Sequence, residues 1–364
     1  MSANRVPILL NYYALANEGR ALIYGQITTK RPGDLSFNAF SRRTTFRTLL
    51  SLYRSRALTN TTVKLHYQEF ELEAVTDETG FFMVSHDVDQ KEFPLYDVTV
   101  DGKPVLLLEG LYDRSLNRIV TPDIVVSDID DTILHSHISR KLRKLSTLMF
   151  TPVERRMAVE PVKELIQRIV DQGATAFYLS NSEQNLYPLI YRFLILNSFP
   201  AGPVFLKQMR RLRDVIRYRK LPTPEVHKLK MLNILLPMFP EKNFVLIGDN
   251  TQYDLSIYLT AAKNYPDNVK AIYIRRAIPM PDELAKAAEL KEQLAKSNIE
   301  FHYGDDFASV KWPESNDLIA PAKEAHSAEP SKGAILFDKE QDGQDLNVQF
   351  RNPKPGNGSH VNKP

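Results

Sequence analysis

The chain has 364 residues, 43% hydrophobic and 25% charged, and its 47 basic against 44 acidic residues leave a net charge of +3. That charge is too small to imply nucleic acid by itself, so any basic surface must be local. There is no cysteine, which excludes disulfides, thiolate zinc sites and a cysteine nucleophile, and fits a reducing compartment.

At about 150 residues per domain, the length accommodates two domains. No apolar run approaches the roughly 18 residues that a membrane span requires. The stretch from Met1 to Ala16 is interrupted by Asn11 and lacks the apolar centre of a signal peptide. The expected location is cytoplasmic.

Residues 1–120 read as β-rich with one helix. An early strand is expected around Ala21–Ile27. Val63, Leu65 and Tyr67 alternate with polar residues, as do Phe70, Leu72 and Ala74, the period-2 signal of half-buried strands. Asp101-Gly102, between Val98/Val100 and Val105/Leu107, predicts a hairpin turn. Within Phe37–Tyr53, the residues Phe46, Leu49, Leu50 and Tyr53 share one helical face. The expectation is a small sandwich-like domain with a helical insertion and no catalytic motif.

From residue 121 strands alternate with helices. Ile124–Ser127 is a short apolar strand, followed by a helix over Pro161–Gln172 that stops at Gly173. A strand over Thr175–Leu179 precedes a helix with Leu186, Leu189, Ile190, Phe193 and Leu194 on one stripe. Then come strand Val204–Leu206, helix Val226–Met238, strand Phe244–Ile247, a helix from about Tyr253, and strand Ala271–Ile274. This alternation predicts an α/β fold, a Rossmann-like, doubly wound, mostly parallel sheet over 121–312. Residues 313–364 are rich in Pro, Ser, Asn, Gly, Lys and Glu and read as a disordered tail, with one adhesive segment at Ala334–Phe337.

Three predicted strands end in residues that carry chemistry. The first ends in Asp128, Asp130 and Asp131, then Thr132. Two such charges about 4 Å apart repel by about 4 kcal/mol at an effective dielectric near 20, so a cation is expected there. Oxygen ligands of this kind suit magnesium. The second ends in Ser180-Asn181-Ser182, a sequence that on its own more often caps a helix. The third ends in Gly248-Asp249-Asn250, with Asp254 following. Ligands bind outside the carboxyl ends of strands in open parallel sheets, so the three ends should converge.

The series D-I-D-D-T-I, Y-L-S-N-S, H-K and F-V-L-I-G-D-x-x-Q-x-D resembles the haloacid dehalogenase superfamily of aspartate-nucleophile phosphotransferases. The text at 199–207, 226–228, 238–249 and 269–276 more closely resembles the catalytic domain of the actin-patch-protein type of phosphatidate phosphatase. The resemblance implies a magnesium-dependent phosphatase that passes through an aspartyl-phosphate and converts phosphatidate to diacylglycerol and phosphate. It implies Asp128 as nucleophile, Asp130 as general acid and base, and Thr132 as support for their loop. Ser180, with Asn181, would bind the transferring phosphoryl group, and a lysine would neutralise its charge: Lys228, since His227-Lys228 matches the family text, with Lys230 and Lys207 as the other candidates. Asp128, the backbone carbonyl of Asp130, and Asp249 would bind Mg2+, with Asp254 completing or orienting the acidic loop.

The chain departs from that pattern at Asn250-Thr251, where Ser-Gly is typical, and at Glu183, where Pro is common. His135 and His137 flank Ser136 just after the first motif and read more readily as solvated than as metal ligands. Two basic clusters, 140–144 and 207–220, are candidates for contact with an anionic phospholipid or membrane surface, which would make the protein peripheral at membranes. Nucleic acid is not expected as a partner. The rival readings are a phosphatase of a soluble or nucleic-acid phosphomonoester, and a membrane- or protein-binding module with a decayed phosphatase site.

Overall fold

In the computed structural model, the residues described are 5–17, 19–31, 42–87, 94–130, 132–133, 158–207, 224–251, 253–310 and 312. Asp131, His135, His137, the 140–144 cluster, residues 208–220 and the 313–364 tail lie outside them.

Strand β1 (Val6–Ala16) pairs antiparallel with β2 (Arg20–Lys30). The turn between them is held by Asn17, whose Oδ1 accepts from the backbone N–H groups of Gly19 and Arg20. The sequence reading placed the second of these strands and missed the first, because β1 is buried along nearly its whole length and shows no alternation. Helix α1 (Arg42–Tyr53) follows, then β3 (Arg56–Ala57), β4 (Thr62–Tyr67), β5 (Glu71–Val75), β6 (Phe81–Asp87) and β7 (Leu95–Val100). Val63, Leu65 and Tyr67 are buried on β4, as the alternation predicts. The hairpin to β8 (Lys103–Pro104) turns at Asp101 and Gly102, both with positive φ, as an Asp-Gly two-residue turn requires. Two short strands, β9 (Leu106–Leu107) and β10 (Leu116–Arg118), each run parallel to part of β1. The region therefore holds two sheets, one built on β1 and β2, the other of β5-β4-β7-β8. The Tyr12 and Tyr67 hydroxyls, 3.0 Å apart, join them across the interior.

Helix α1 corrects the sequence reading. The stripe of Phe46, Leu49, Leu50 and Tyr53 was expected inside. Instead Thr45, Thr48, Leu49 and Leu52 are buried and Phe46 is 37% exposed. Two small threonines let the helix pack closely, and that turns the inward face away from Phe46.

Strand β11 (Asp123–Ser127) begins the second region, followed by α2 (Glu160–Asp171), β12 (Thr175–Glu183), a single 3-10 turn at 184–186, α3 (Tyr187–Leu196) and β13 (Val204–Lys207). Then come α4 (Pro224–Met238), β14 (Asn243–Asp249), α5 (Asp254–Asn264), β15 (Val269–Arg275), α6 (Glu283–Ala295) and β16 (Glu300–Gly304). The six strands form one sheet in the order β13-β12-β11-β14-β15-β16, and every pairing in it is parallel. The chain thus adds strands on one side of β11 and then on the other, which opens a crevice at the carboxyl ends of the central strands. Helix α6 and β16 were not foreseen, because α6 is largely exposed and its apolar signal is weak.

The two regions share one apolar core. Tyr13 and Tyr187 hydroxyls are 2.8 Å apart, Tyr24 stacks on Phe205, and the Asn17 amide donates to the Met238 carbonyl at 2.6 Å. Trp312, at the far end of the described chain, donates to Asp123 at 3.3 Å and closes the edge opposite the crevice.

Candidate active site

The site is built on the end of β11. Asp128 continues the ladder, donating its backbone N–H to the Ile247 carbonyl, and its side chain is fully buried. The chain then turns back, with the Ile133 N–H on the Ile129 carbonyl. This turn brings the Thr132 hydroxyl to 2.9 Å from Asp128 Oδ2 and 3.1 Å from Asp249 Oδ2. Thr132 therefore bridges the ends of β11 and β14.

Asp249 ends β14, and its Oδ1 accepts from the Thr251 N–H. Asp254 opens α5 and directs Oδ2 back to the Asp249 N–H at 3.3 Å. That return requires Gly248. A Cβ there would stand 2.7 Å from both Cβ and Oδ2 of Asp254, so any larger residue displaces the loop. The departure at Asn250 has its own role. Its amide donates to the Ile278 carbonyl at 2.6 Å and to Tyr303, while Oδ1 accepts from the Ala277 and Ile278 N–H groups. It fastens the acidic loop to the segment after β15.

Lys228 enters from the first turns of α4 and is fully buried. Its Nζ lies 2.6 Å from Asp128 Oδ1 and also pairs with Asp254 Oδ1. Among the three candidate lysines it alone reaches Asp128 in this way: Lys230 is exposed, and Lys207 stands at the end of β13 opposite Glu183. Burial works to lower the pKa of Lys228, but Asp128 and Asp254 overcome it and hold the ammonium above its ordinary value. His227 beside it is pushed down to about 4 by burial and by Lys207 and Lys228, so its imidazole is neutral.

Asp128, Asp249 and Asp254 each place a carboxylate oxygen within 4.8 Å of the others. Burial pushes Asp128 well above the usual carboxylate range; Lys228 opposes this, and Asp254, Asp249 and Asp130 add to it. Asp249 is raised to about 6, by burial first and then by Asp254. Once ionised, three carboxylates facing one ammonium carry an excess of two negative charges, the charge of one divalent cation, and the raised Asp128 and Asp249 show what it costs to hold that charge without one. An all-oxygen, buried donor set of this charge fits Mg2+. Both oxygens of each carboxylate are engaged by protein groups: Asp254 by Lys228 and the Asp249 N–H, Asp128 by Lys228 and Thr132, Asp249 by the Thr251 N–H and Thr132.

Asp130 is turned the other way, towards β12. Ser180 donates to its Oδ2 at 2.8 Å, and Ser182 lies 2.9 Å from Oδ2 and 3.2 Å from Oδ1. The Ser182 N–H in turn donates to Ser180 Oγ at 2.8 Å. Ser180-Asn181-Ser182 does not cap a helix, because β12 runs on to Glu183 and holds the segment extended. Asn181 is half-buried between the two serines. In the sequence Ser182 stands only as a member of the strand-end triplet, with no role of its own. The signal was there in the i, i+2 spacing of two hydroxyls at a strand end, which puts both on one face.

Residues 124–276 match the family model described as "Phosphatidate phosphatase APP1, catalytic domain". Over 153 residues, 42% of this chain, the sequence is 31% identical to phosphatidate phosphatase APP1 of Saccharomyces cerevisiae. Over 176 residues, 48% of this chain, it is 27% identical to an uncharacterized protein of Schizosaccharomyces pombe. The matches span 25% and 27% of those relatives' own lengths, so they concern this region and not the whole relatives. A HAD family hydrolase from Deinococcus radiodurans R1, solved with bound phosphate and sodium, aligns with 49% of this chain and 97% of its own. Its identity is 18% and its TM-score 0.28. The resemblance read from the motifs holds over 124–276.

Proposed function

We propose that the protein is a magnesium-dependent phosphoric monoester hydrolase whose substrate is phosphatidate, converted to diacylglycerol and phosphate. The observation that carries the reading is Asp128, buried at the end of β11, paired with Lys228 and bridged to Asp249 by Thr132. The resemblance of 124–276 to a phosphatidate phosphatase catalytic domain supports the choice of substrate. The joint presence of Asp128, Asp130, Lys228 and Asp249 argues against a decayed site.

In this reading the Asp128 carboxylate attacks phosphorus and the ester P–O bond breaks. Asp130, oriented by Ser180 and Ser182, gives its proton to the departing alkoxide. It then takes a proton from water, whose oxygen attacks phosphorus, releasing phosphate and restoring Asp128. Lys228 offsets charge on the phosphoryl oxygens, Ser180 and Asn181 contribute donors, and Asp254 holds the lysine in place and orders the acidic loop. Asp128, Asp249 and the Asp130 carbonyl would hold Mg2+, which supplies electrostatic stabilisation of the phosphoryl charge. Such stabilisation is needed, since enzymes accelerate this hydrolysis by up to about 10²¹-fold.

The reading takes 121–312 as a doubly wound, Rossmann-like catalytic domain, 1–120 as a sandwich-like β-domain and 313–364 as a tail. None of the described helices is long and apolar enough to cross a membrane. The proposed location is the cytoplasm, peripheral at membranes, with the 140–144 and 207–220 clusters as candidate lipid contacts.

The test is phosphate release from phosphatidate vesicles and from a panel of soluble phosphomonoesters, with Mg2+ or with excess EDTA after dialysis. Phosphatidate is expected to lead the panel, EDTA to abolish turnover, and Asp128→Asn to abolish both turnover and the acid-quenched phosphoenzyme while circular dichroism is unchanged. Near-native activity of Asp128→Asn would sink the nucleophile assignment. Preference for a soluble ester would move the substrate to the rival reading.

A further inference from the structure

From Ser41 to Arg56 the chain carries five arginines, Arg42, Arg43, Arg47, Arg54 and Arg56, and no aspartate or glutamate. The structure sorts this stretch into two faces. Thr45, Thr48, Leu49 and Leu52 are buried on the inner side of α1. Arg43, Arg47 and Arg54 are exposed, and at 100° per residue they fall on one outward stripe that also carries exposed Phe46 and half-buried Leu50. Among the described residues, no carboxylate pairs with Arg43, Arg47, Arg54 or Arg56. A folded surface of mixed charge ordinarily intersperses acids among its arginines. This one does not.

Helix α1 lies by the carboxyl end of β12 in the parallel sheet. Helix α1 packs on the 184–186 turn that follows β12. Tyr53, at the end of α1, has its hydroxyl pushed up to about 12 by burial and by Glu183. Glu183 directly follows Ser182, which holds Asp130. Two packed elements therefore join helix α1, which carries the arginine face on its outer side, to the reacting end of β12.

We infer that the outward face of α1, with Arg43, Arg47 and Arg54 around Phe46 and Leu50, docks the protein on the surface of an anionic phospholipid bilayer. The inference rests on the phosphatidate reading for its purpose, since a headgroup presented at a bilayer must be reached from its surface. Guanidinium groups bind phosphate oxygens in pairs, and an apolar ring among them enters the headgroup layer. A packed helix next to the site sets the height and tilt of the crevice over the lipid, as a flexible basic tail could not.

The test uses the full chain and vesicles that contain no phosphatidate, so binding is read apart from catalysis. Wild type is expected to sediment with phosphatidylcholine vesicles that include phosphatidylserine, and to stay in the supernatant when the vesicles are pure phosphatidylcholine. Each arginine near such a surface contributes about fivefold in affinity, so R43Q/R47Q/R54Q lowers it about 100-fold, and less at high salt. The Arg5 bond to this region goes to the Arg54 carbonyl and survives the change. Lysine at all three positions retains most of the binding, and turnover of a soluble phosphomonoester stays at wild-type level in both variants. The inference is overturned if the glutamine variant binds as tightly as wild type, including where it has lost affinity for RNA instead. It is overturned too if soluble turnover falls in parallel with binding. Failure of the phosphatidate reading shows separately, as no phosphate release from phosphatidate by a wild type that still binds.

Discussion

Lys228 Nζ and Asp128 Oδ1 are 2.6 Å apart, and neither side chain is exposed to solvent. The two come from the ends of elements separated by 100 positions, α4 and β11, so the pair exists only in the folded chain. Removing one member of a buried pair strands the other and costs about 3–5 kcal/mol. Lys228→Met is therefore expected to lower the unfolding free energy by about that amount in urea titrations followed by circular dichroism without metal. Adding Asp128→Asn to it should recover part of the loss, since one stranded charge is gone. A single variant within about 0.5 kcal/mol of wild type, the range of an ordinary surface substitution, would show that the pair does not hold the site together.

Ser182 touches both oxygens of Asp130 and, among the described residues, no other group of the site apart from Ser180. Its expected effect is on proton delivery to the leaving group, a contribution of about 10²–10⁴-fold in general acid catalysis. Ser182→Ala should lower kcat on an alkyl phosphate by about tenfold, because Ser180 still orients Asp130. It should barely change kcat on p-nitrophenyl phosphate, whose leaving group needs no proton. Ser182→Thr, with the hydroxyl kept, should restore the alkyl rate. Equal losses on both substrates would assign Ser182 to the fold instead.

His227 is held neutral, its pKa pushed down from 6.5 to about 4. The sign follows from proton uptake: between these values the unfolded chain binds the proton and the folded chain does not, so stability falls as pH falls. The contribution is fully present above about pH 6.5 and lost on descending towards pH 4, a change of at most about 3 kcal/mol. His227→Gln removes the titration. The stability difference between wild type and variant, from urea midpoints across that range, should shrink as pH is lowered. A difference that does not vary with pH would mean that His227 titrates alike in both states.

Much of the catalytic edge could be read in order along the chain. Short apolar strands followed at once by Asp128, Ser180 and Asp249 carry their own meaning, since a buried parallel strand has few ways to end and its carboxyl end faces the crevice. The hairpin at Asp101-Gly102 was legible for a similarly local reason, as both residues must take positive φ. The long β1 was illegible because burial on both faces erases the alternation that marks a strand. Helix α6 was illegible for the opposite reason, being mostly exposed.

Periodicity placed α1 and misjudged its face, since hydrophobicity favoured Phe46 where close packing favoured Thr45 and Thr48. The choice among Lys207, Lys228 and Lys230 lay beyond local pattern as well. All three are basic residues near strand or helix ends, and only the packing of α4 against the sheet buries one of them against Asp128. The hold of Ser182 on Asp130 depends in the same way on β12 and β11 lying side by side. Residue type and spacing dictated which strands form and which chemistry stands at their ends, because those follow from local sterics and burial. Which charges meet was left to the docking of elements distant in sequence, because a Coulomb or hydrogen-bond partner is selected by distance in space and leaves no period in the chain.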